Sequence, residues 1–439
     1  PFYNGGVITM LDGVPDDSLT IDGSFQGNGT LNVDLNLSTE ASDRLYITGD
    51  VFQPTEHTIN IVMVGKPDEA IEFVPIVDVD GTSADGDFVL GSISGIPNDL
   101  FTSLDVAIVS HLNAANTAPD QHGLGIELTG LNARGLLAAS MAPGLQSAWH
   151  TINGTLFQRE GTDRDGRVQG FSPWARLFKN DAKLETDHGD TNFGTEDDRR
   201  FNADTSGGEV GLAYNFNEAW SAGLMLGTQD LEIRTAGGGR AEGDGNTWGA
   251  YVTWMPGNGF YADLSYRQMS FDLDARVVGG DFTQDGDAKG WSLEVGYAFD
   301  TSGGWKIEPQ LQYSTLSVDG LESIGSGWGE FSYEETDSAR LRAGVSLRKT
   351  FKTSSDNSWT PYLSVNAINE MSGGNRFGID NNTFYGDASM DGMSTLVEGG
   401  VTGKIGNWTI FGGVNWQQGG AYRSTMGGQI GVRYTFGKA

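Results

Sequence analysis

The C-terminal two thirds of the chain contain segments of about ten residues in which apolar and polar side chains alternate. From Trp291 to Phe299 every second residue is aromatic or aliphatic, and the residues between them are polar or small. The segments 305–313, 341–347 and 430–436 repeat this pattern. A period of two residues predicts β-strands with one apolar and one polar face. Transmembrane β-barrels contain such strands, and so do soluble sandwiches with one solvated face.

The lengths of the connections favour the barrel over the sandwich. We predict twelve strands at roughly 170–180, 206–216, 219–232, 246–256, 259–273, 289–300, 304–318, 338–351, 358–371, 393–405, 407–417 and 425–436. Tight turns at 217–218, 257–258, 301–303, 352–357 and 406 alternate with longer acidic or glycine-rich loops at 181–205, 233–245, 274–288, 319–337 and 372–392, and the last connection, 418–424, is intermediate. Outer-membrane barrels have short periplasmic turns and long outer loops, whereas soluble sandwiches have no reason to sort loops by length.

Tryptophans are expected at the two membrane interfaces of such a barrel. Six lie near the ends of predicted strands: Trp220, Trp248, Trp291, Trp305, Trp359 and Trp408. We predict that they form aromatic girdles. No stretch approaches the roughly 20 apolar residues that a membrane-spanning helix needs, so any span is made of strands.

Charge and cysteine content exclude several classes of protein. The formal net charge of −31 opposes binding to a phosphate backbone, so we expect no nucleic-acid partner. The chain has no cysteine, which excludes disulfides and thiolate chemistry. Residues 1–123 contain two basic and nineteen acidic residues, and their short apolar runs are broken by Gly, Asn and Asp turns. This part predicts a β-solenoid, with a small sandwich as the alternative.

Residues 124–168 predict a linker with a helix from about 132 to 160. Its apolar stripe contains Leu137, Leu145, Trp149, Ile152 and Leu156, amid Ala, Gly and Ser. Pro143 and Gly144 should kink or split it. Small side chains would allow a barrel wall to approach, so we predict a helix threaded through the pore. A surface helix packed on the solenoid is the alternative.

Charged residues on the polar faces of the predicted strands should line the pore. They are Asp263, Arg267, Glu294, Glu308, Arg340, Arg342, Arg348 and Arg433. None of the five histidines lies in a predicted barrel strand, and no nucleophile-elbow, zinc-protease or P-loop motif occurs. Residues 78–81 and 163–166 resemble fragments of calcium loops but lack the complete ligand pattern. We therefore predict no enzyme activity, no metal and no cofactor.

The order of solenoid, helix and twelve-stranded barrel resembles the autotransporter family of Gram-negative outer membranes. Six stretches carry the resemblance: 27–34 and 43–50 are similar to the end of an exported region, and 173–177, 294–297, 308–310 and 361–363 are similar to the first, sixth, seventh and ninth barrel strands. The resemblance implies an all-β fold with an outer-membrane barrel at 169–439. It also implies a linker at 124–168, and at 1–123 the C-terminal end of an exported segment, the passenger.

The resemblance further implies a function, a location and partners. The barrel would anchor in the outer membrane and export its own passenger to the cell surface, and a non-secreting adhesin or porin-like anchor is the alternative. Implied partners are the barrel assembly machinery, periplasmic chaperones, outer-membrane lipid and lipopolysaccharide. The assembly machinery would read the last strand at Ile430, Val432, Tyr434 and Phe436. Some family members cleave themselves in the pore at paired asparagines, and because this linker has no such pair, we expect no cleavage there.

Overall fold

The computed structural model describes residues 1–65, 73–96, 99–115, 117–162, 167–325, 330–334, 336–354, 356–380 and 382–436. An N-terminal module of strands leads through two helices into a large barrel. The strands of the module are Phe2–Asn4, Val7–Thr9, Ser18–Ile21, Phe25–Gly27, Thr30–Asn36, Ala41–Ser42, Arg44–Ile47, His57–Met63, Phe73–Val79, Phe88–Ser94, Thr102–His111 and Asp120–Leu131.

Most strands of the module stack in parallel as the rungs of a short solenoid. Along one face, Val7–Thr9, Thr30–Asn36, His57–Met63 and Phe88–Ser94 pair in turn. A second face stacks Ser18–Ile21, Arg44–Ile47 and Phe73–Val79, and a third pairs Phe2–Asn4 with Phe25–Gly27. Aliphatic side chains from these rungs, such as those of Leu31, Ile59 and Val77, form the buried interior.

An antiparallel pair of strands closes the solenoid on the side towards the barrel. Asp120–Leu131 pairs with both Phe73–Val79 and Thr102–His111. This strand runs across the boundary that we predict at 123/124. In the structure the N-terminal module therefore extends to Leu131.

Two helices follow the module. Helix α1, Ala133–Asn153, begins where the Asn132 side chain accepts hydrogen bonds from the backbone N–H groups of Arg134 and Gly135. It runs without a break through Pro143, so the predicted split there is absent. The chain breaks instead at Gly154, which has a φ of 49° and precedes the short helix α2, Leu156–Glu160. A proline in a helix removes one backbone hydrogen bond, and packing of the helix against the barrel wall, the outer loops and the N-terminal module offsets this loss.

Twelve long strands of the described chain form one closed antiparallel barrel, because the first pairs with the twelfth and the sixth with the seventh. In order they are Gly170–Glu185, Arg200–Asn215, Trp220–Thr235, Arg240–Trp254, Phe260–Arg276, Phe282–Tyr297, Trp305–Asp319, Thr336–Lys349, Asn357–Glu370, Gly392–Ile405, Trp408–Gly419 and Tyr422–Tyr434. Short strands Phe299–Asp300 and Phe351–Lys352 extend the sixth and eighth, and Ser302–Gly304 forms a 3₁₀ turn. Searched over the same described residues, no helix has the length and apolar character to cross a membrane.

Several outer loops are shorter than the sequence predicts. The loops predicted at 233–245, 274–288 and 418–424 shrink to the turns 236–239, 277–281 and 420–421, because the flanking strands continue outward. A strand of 16 residues, such as Gly170–Glu185, is about 50 Å long. The apolar band of such barrels is only about 25 Å tall. The strands therefore project beyond the membrane on the side where the N-terminal module lies.

Because the strands are longer than predicted, some tryptophans lie farther from the strand ends than expected. Trp220, Trp305 and Trp408 begin strands beside the tight turns, as predicted. Trp248 and Trp291 instead lie near the middle of the fourth and sixth strands, with about half of each side chain exposed. The prediction that these two lie near strand ends is wrong, because it assumed strands that stop at the membrane surface.

Two longer outer loops form a small sheet of their own. Its strands are Ile324–Gly325, Glu330–Tyr333, Arg376–Ile379 and Phe384–Asp387. The rings of Phe331 and Phe377 stack at 4.9 Å, and Phe331 also contacts Phe101 of the N-terminal module. The loop after the first strand adds backbone hydrogen bonds, from Gly194 to Leu128 and from Glu196 to Thr129. The outer loops therefore join the N-terminal module to the mouth of the barrel.

Candidate functional site in the barrel lumen

Helix α1 fills the outer half of the lumen. Every side chain from Arg134 to Trp149 is buried, on all sides of the helix. A helix that is buried all round is enclosed rather than laid on a surface. All five residues of the predicted stripe are at most 2 % exposed: Leu137, Leu145, Trp149, Ile152 and Leu156. The alternative of a surface helix on the solenoid is therefore wrong.

The outer half of the barrel wall is apolar and contacts this helix directly. Inward side chains such as Leu184, Phe201 and Ile233 join the helix in one core. The approach is close at Gly144, where a Cβ atom would lie 2.4 Å from Cδ1 of Ile233. Trp149 donates from Nε1 to the carbonyl of Thr315 at 3.2 Å. Small residues on the helix thus set the distance between helix and wall, as the sequence suggested.

The turn between the helices lies among polar groups of the wall. Gln312 donates to the carbonyl of Gly154 at 2.8 Å, and Arg176 donates to the carbonyl of Ile152. The Leu156 N–H donates to Glu294 at 3.0 Å. These contacts satisfy backbone groups that a helix end leaves without partners.

Helix α2 ends in a buried ion-pair network in the half of the lumen that lies beside the tight turns. Arg159 donates to both carboxylate oxygens of Asp263, at 3.1 and 2.5 Å, and to Thr253 at 3.3 Å. Its guanidinium also lies over the ring of Tyr251, 3.9 Å from the centroid. Fork-shaped pairing of an arginine with a carboxylate fixes both position and orientation. This pair therefore holds α2 against the fourth and fifth strands.

Glu160 connects α2 to the opposite part of the wall. Its carboxylate accepts from Arg167 at 2.7 Å and from Arg433 of the last strand at 3.3 Å. Gln158 donates to Glu398 at 2.9 Å. The short helix is thus bonded to strands on several sides of the barrel, and it closes the lumen at the end where the tight turns lie.

The eight charged residues predicted on the polar faces all point into the lumen, and seven of them are at most 9 % exposed. Arg342 lies 3.4 Å from Glu294, Arg348 pairs with Glu308, and Arg267 pairs with Glu209. Arg340 lies over the ring of Tyr422, 5.6 Å from its centroid. Asp263 and Arg433, named above, hold α2. Their part in passenger movement stays a prediction.

Sequence reasoning missed several members of the network. Arg176, Glu209, Glu370 and Glu398 are buried on inward faces of their strands, and the alternation could have identified all four. The pair of Arg159 and Glu160 gives no comparable signal, because the part of the lumen that a helix end reaches depends on where the helix stops.

The acidic fragment at 78–81 has a structural partner. Asp78 accepts from Arg44 Nε at 3.1 Å and from Gln121 at 2.8 Å, across neighbouring strands of the N-terminal module. The second fragment, 163–166, lies outside the described residues.

The residues of the predicted assembly signal face outward on the last strand. Ile430 and Phe436 are more than half exposed, and Val432 and Tyr434 are partly exposed. The ring of Tyr434 contacts those of Trp408 and Phe436, both at 4.8 Å. Their recognition by an assembly machinery stays a prediction.

Comparison with known proteins identifies a family with this architecture. The family model described as Autotransporter beta-domain matches residues 174–415, more than half of the chain. The chain is 27 % identical over 233 residues to the autotransporter adhesin/invasin TibA of Escherichia coli O78:H11, covering 49 % of this chain and 22 % of TibA. It is 26 % identical over 233 residues to the pertactin autotransporter of Bordetella bronchiseptica, covering 51 % of this chain and 24 % of pertactin. The chain thus spans about a quarter of the length of these relatives.

A solved structure shows the same fold. The transport unit of the autotransporter AIDA-I from Escherichia coli aligns with a TM-score of 0.50 and 15 % identity, over 68 % of this chain and 99 % of that one. Barrels of this family reside in the outer membrane. The closed twelve-stranded barrel, the helix in its lumen and the family match lead to one conclusion: the chain belongs to the autotransporter β-domain family.

Proposed function

We propose that this barrel exports its own N-terminal passenger across the outer membrane and then anchors it at the cell surface. One observation carries the proposal, namely the path of the chain. The N-terminal module lies at the outer mouth, α1 and α2 run down the lumen, and the first strand begins at Gly170 beside the tight turns. The segment before the barrel therefore connects the two sides of the membrane through the pore.

The lining of the lumen suits both export and retention. Its periplasmic half is lined by arginines and carboxylates that pair with each other, such as Arg348 with Glu308. A balanced polar wall gives a passing chain no strong binding site, and it later supplies partners for α2. Members of the family act in transport. We propose in addition that this barrel is a membrane anchor without catalytic activity.

Folding of the solenoid outside the membrane would bias the movement of the passenger outward, with no nucleotide needed to drive it. The rungs of the solenoid join through parallel main-chain pairing, as Thr30–Asn36 does with His57–Met63. Rungs that form outside would prevent the chain from sliding back. Deletion of about residues 20–110 should leave the passenger sensitive to external protease, and unchanged resistance would count against this folding role.

Surface display of the N-terminal module is tested with two epitope insertions in the same protein. One lies between Thr39 and Glu40, in an exposed turn of the module, and the other lies in the turn at Gly257 and Asn258. Antibody should label intact cells for the first insertion and only permeabilised cells for the second. Labelling of the second on intact cells, or of neither, would overturn the orientation.

Insertion of the barrel into the outer membrane requires partners. We infer that the barrel assembly machinery and periplasmic chaperones deliver the barrel, reading Ile430, Val432, Tyr434 and Phe436, and that lipopolysaccharide surrounds the outer end. These outward positions are free of lumen contacts, which supports a role outside the folded core. Replacement of Phe436 by Ala should reduce the amount of inserted barrel, whereas replacement of lumen-facing Ser346 by Ala should not.

A further inference from the structure

A chain of hydrogen bonds joins two serines of the N-terminal module through a buried histidine. Ser110 Oγ lies 2.8 Å from Nδ1 of His122, and Nε2 of His122 lies 2.9 Å from Oγ of Ser83. Ser83 in turn donates from Oγ and from its backbone N–H to Oδ2 of Asp120, at 2.9 and 3.0 Å. The four residues come from one loop and two neighbouring strands, so no contiguous sequence motif marks them.

The carboxylate at one end sets the direction of every hydrogen bond in this chain. Burial raises the pKa of Asp120, but hydrogen bonds from Asn113 and Ser83 outweigh burial and hold that pKa below its ordinary value. An ionised carboxylate only accepts, so the Ser83 hydroxyl donates to Asp120 and accepts from Nε2–H of His122. Nδ1 of the neutral imidazole then has a free lone pair, and the Ser110 hydroxyl donates to it. In this arrangement a histidine can remove the proton of a serine.

His122 is neutral at neutral pH. Its side chain is fully buried and lies against the ring of Phe88, with the two ring centroids 4.7 Å apart. Burial lowers the pKa of the imidazole and outweighs the nearby carboxylates of Asp87, Asp120 and Asp85, which act in the opposite direction. The proton-accepting form of the base is therefore the prevailing one at neutral pH.

Ser110 lies where the chain of hydrogen bonds meets the surface. It belongs to the strand Thr102–His111, and no strand of the described chain pairs with the edge of this strand that faces away from Asp120–Leu131. Ser110 itself is partly exposed. Ile108 and Val106, two and four residues earlier on the same face, are also only partly buried. The hydroxyl group thus has an apolar strip beside it.

We propose that Ser110 is a nucleophile that accepts an apolar acyl group from an activated ester. The Ser110 oxygen bonds to the carbonyl carbon of the ester while its proton passes to Nδ1 of His122. The bond from that carbon to the leaving oxygen then breaks, and His122 returns the proton to the leaving alcohol. The product is an ester of Ser110, which is a covalent modification of the module rather than a turnover. The proposal is independent of passenger export.

Labelling of the intact protein with an alkyl fluorophosphonate tests this proposal. The Ser110 oxygen displaces fluoride from phosphorus and its proton goes to His122, so the probe needs the same two groups as the ester. Peptide mapping by mass spectrometry compares Ser110 with Ser103, a partly exposed serine of the same strand with no histidine contact among the described residues. We expect Ser110 to react about 100-fold faster, the contribution of one general base.

Variants separate the parts of the cluster. His122→Gln keeps a hydrogen-bonding group but removes the base, and it should slow the labelling of Ser110 about 100-fold. Ser83→Ala removes the link to Asp120 and should also slow labelling, whereas Ser83→Thr restores a hydroxyl and should recover most of the rate. In the wild type the rate should reach half its maximum below pH 6.5, the ordinary pKa of histidine, because burial keeps His122 neutral.

Two results would overturn the proposal. Equal rates at Ser110 and Ser103 would show that the hydrogen bonds only satisfy a buried histidine. An unchanged rate in His122→Gln, in protein whose module keeps the trypsin resistance of the wild type, would show that the base is not used. The comparison of the two serines needs no substitution, so it decides the question even where a variant fails to fold.

Discussion

Loss of Arg159 should release α2 from the wall. The substitution Arg159→Met removes both bonds to Asp263, at 3.1 and 2.5 Å, together with the bond to Thr253. Asp263 is only 5 % exposed and, among the residues that the structure describes, would keep the neutral partner Thr253 at 2.6 Å. Removal of one member of a buried ion pair costs about 3–5 kcal/mol. The ratio of seated to released helix should then fall by about two to three and a half orders of magnitude.

Hydrogen exchange of the α2 backbone amides in the purified protein measures this release, because α1 still fills the outer half of the lumen. Exchange of these amides should be faster by at least about 100-fold in Arg159→Met. The control is Arg423→Met, because Arg423 pairs with Glu185 on the surface, where both side chains are about half exposed. Addition of Asp263→Asn to Arg159→Met should restore part of the protection, since the unpaired carboxylate is removed. Exchange in Arg159→Met as slow as in the wild type and in Arg423→Met would refute the reasoning.

Three other predictions follow from the contacts. Gly144→Leu should lower the stability of the barrel by about 1–3 kcal/mol, because its Cβ would lie 2.4 Å from Ile233; thermal unfolding measures this, and added Ile233→Ala should recover part of it. Burial of His57 lowers its pKa to about 4, so as the pH falls the unfolded chain takes up the proton before the folded one does. The free energy of unfolding of the N-terminal module should therefore fall by up to about 3 kcal/mol between pH 6.5 and pH 4. Protease resistance measured against pH tests this, and a pH-independent resistance, or the same pH dependence in His57→Gln, would contradict it. No cleavage should occur near Asn153, and intact mass of the protein from isolated membranes checks this, a barrel that begins near residue 150 being the contrary result.

The barrel was predictable from sequence because each strand faces two different solvents. Lipid and a polar lumen impose a period of two, which survives in every segment of the membrane belt, such as Trp291 to Phe299. The same reasoning predicted strands that are shorter than the observed ones at their outer ends. Above the membrane the alternation continues with its faces reversed, because the outward face is polar, as at the cross-strand neighbours Asp230 and Asp244, and the inward face is apolar, as at Leu231 and Ile233.

The contacts of the helix were predictable only in outline. Its apolar stripe and small residues predicted an enclosed helix, and the structure places it in the lumen. The break fell at Gly154 rather than Pro143, because enclosure by the wall outweighs the local cost of proline. The partners of Arg159 depend on the rotation and depth of α2, and local sequence does not specify these quantities.

Export of the N-terminal side is the central claim, and display of an attached reporter tests it most directly. An epitope fused to the N-terminal side of Pro1, behind a secretion signal, is probed on intact cells with antibody and external protease. We predict display and protease access, both lost when the twelfth strand, Tyr422–Tyr434, is deleted. Retention of the epitope in the periplasm by a correctly inserted barrel would contradict the account and favour a non-secreting adhesin or porin-like anchor.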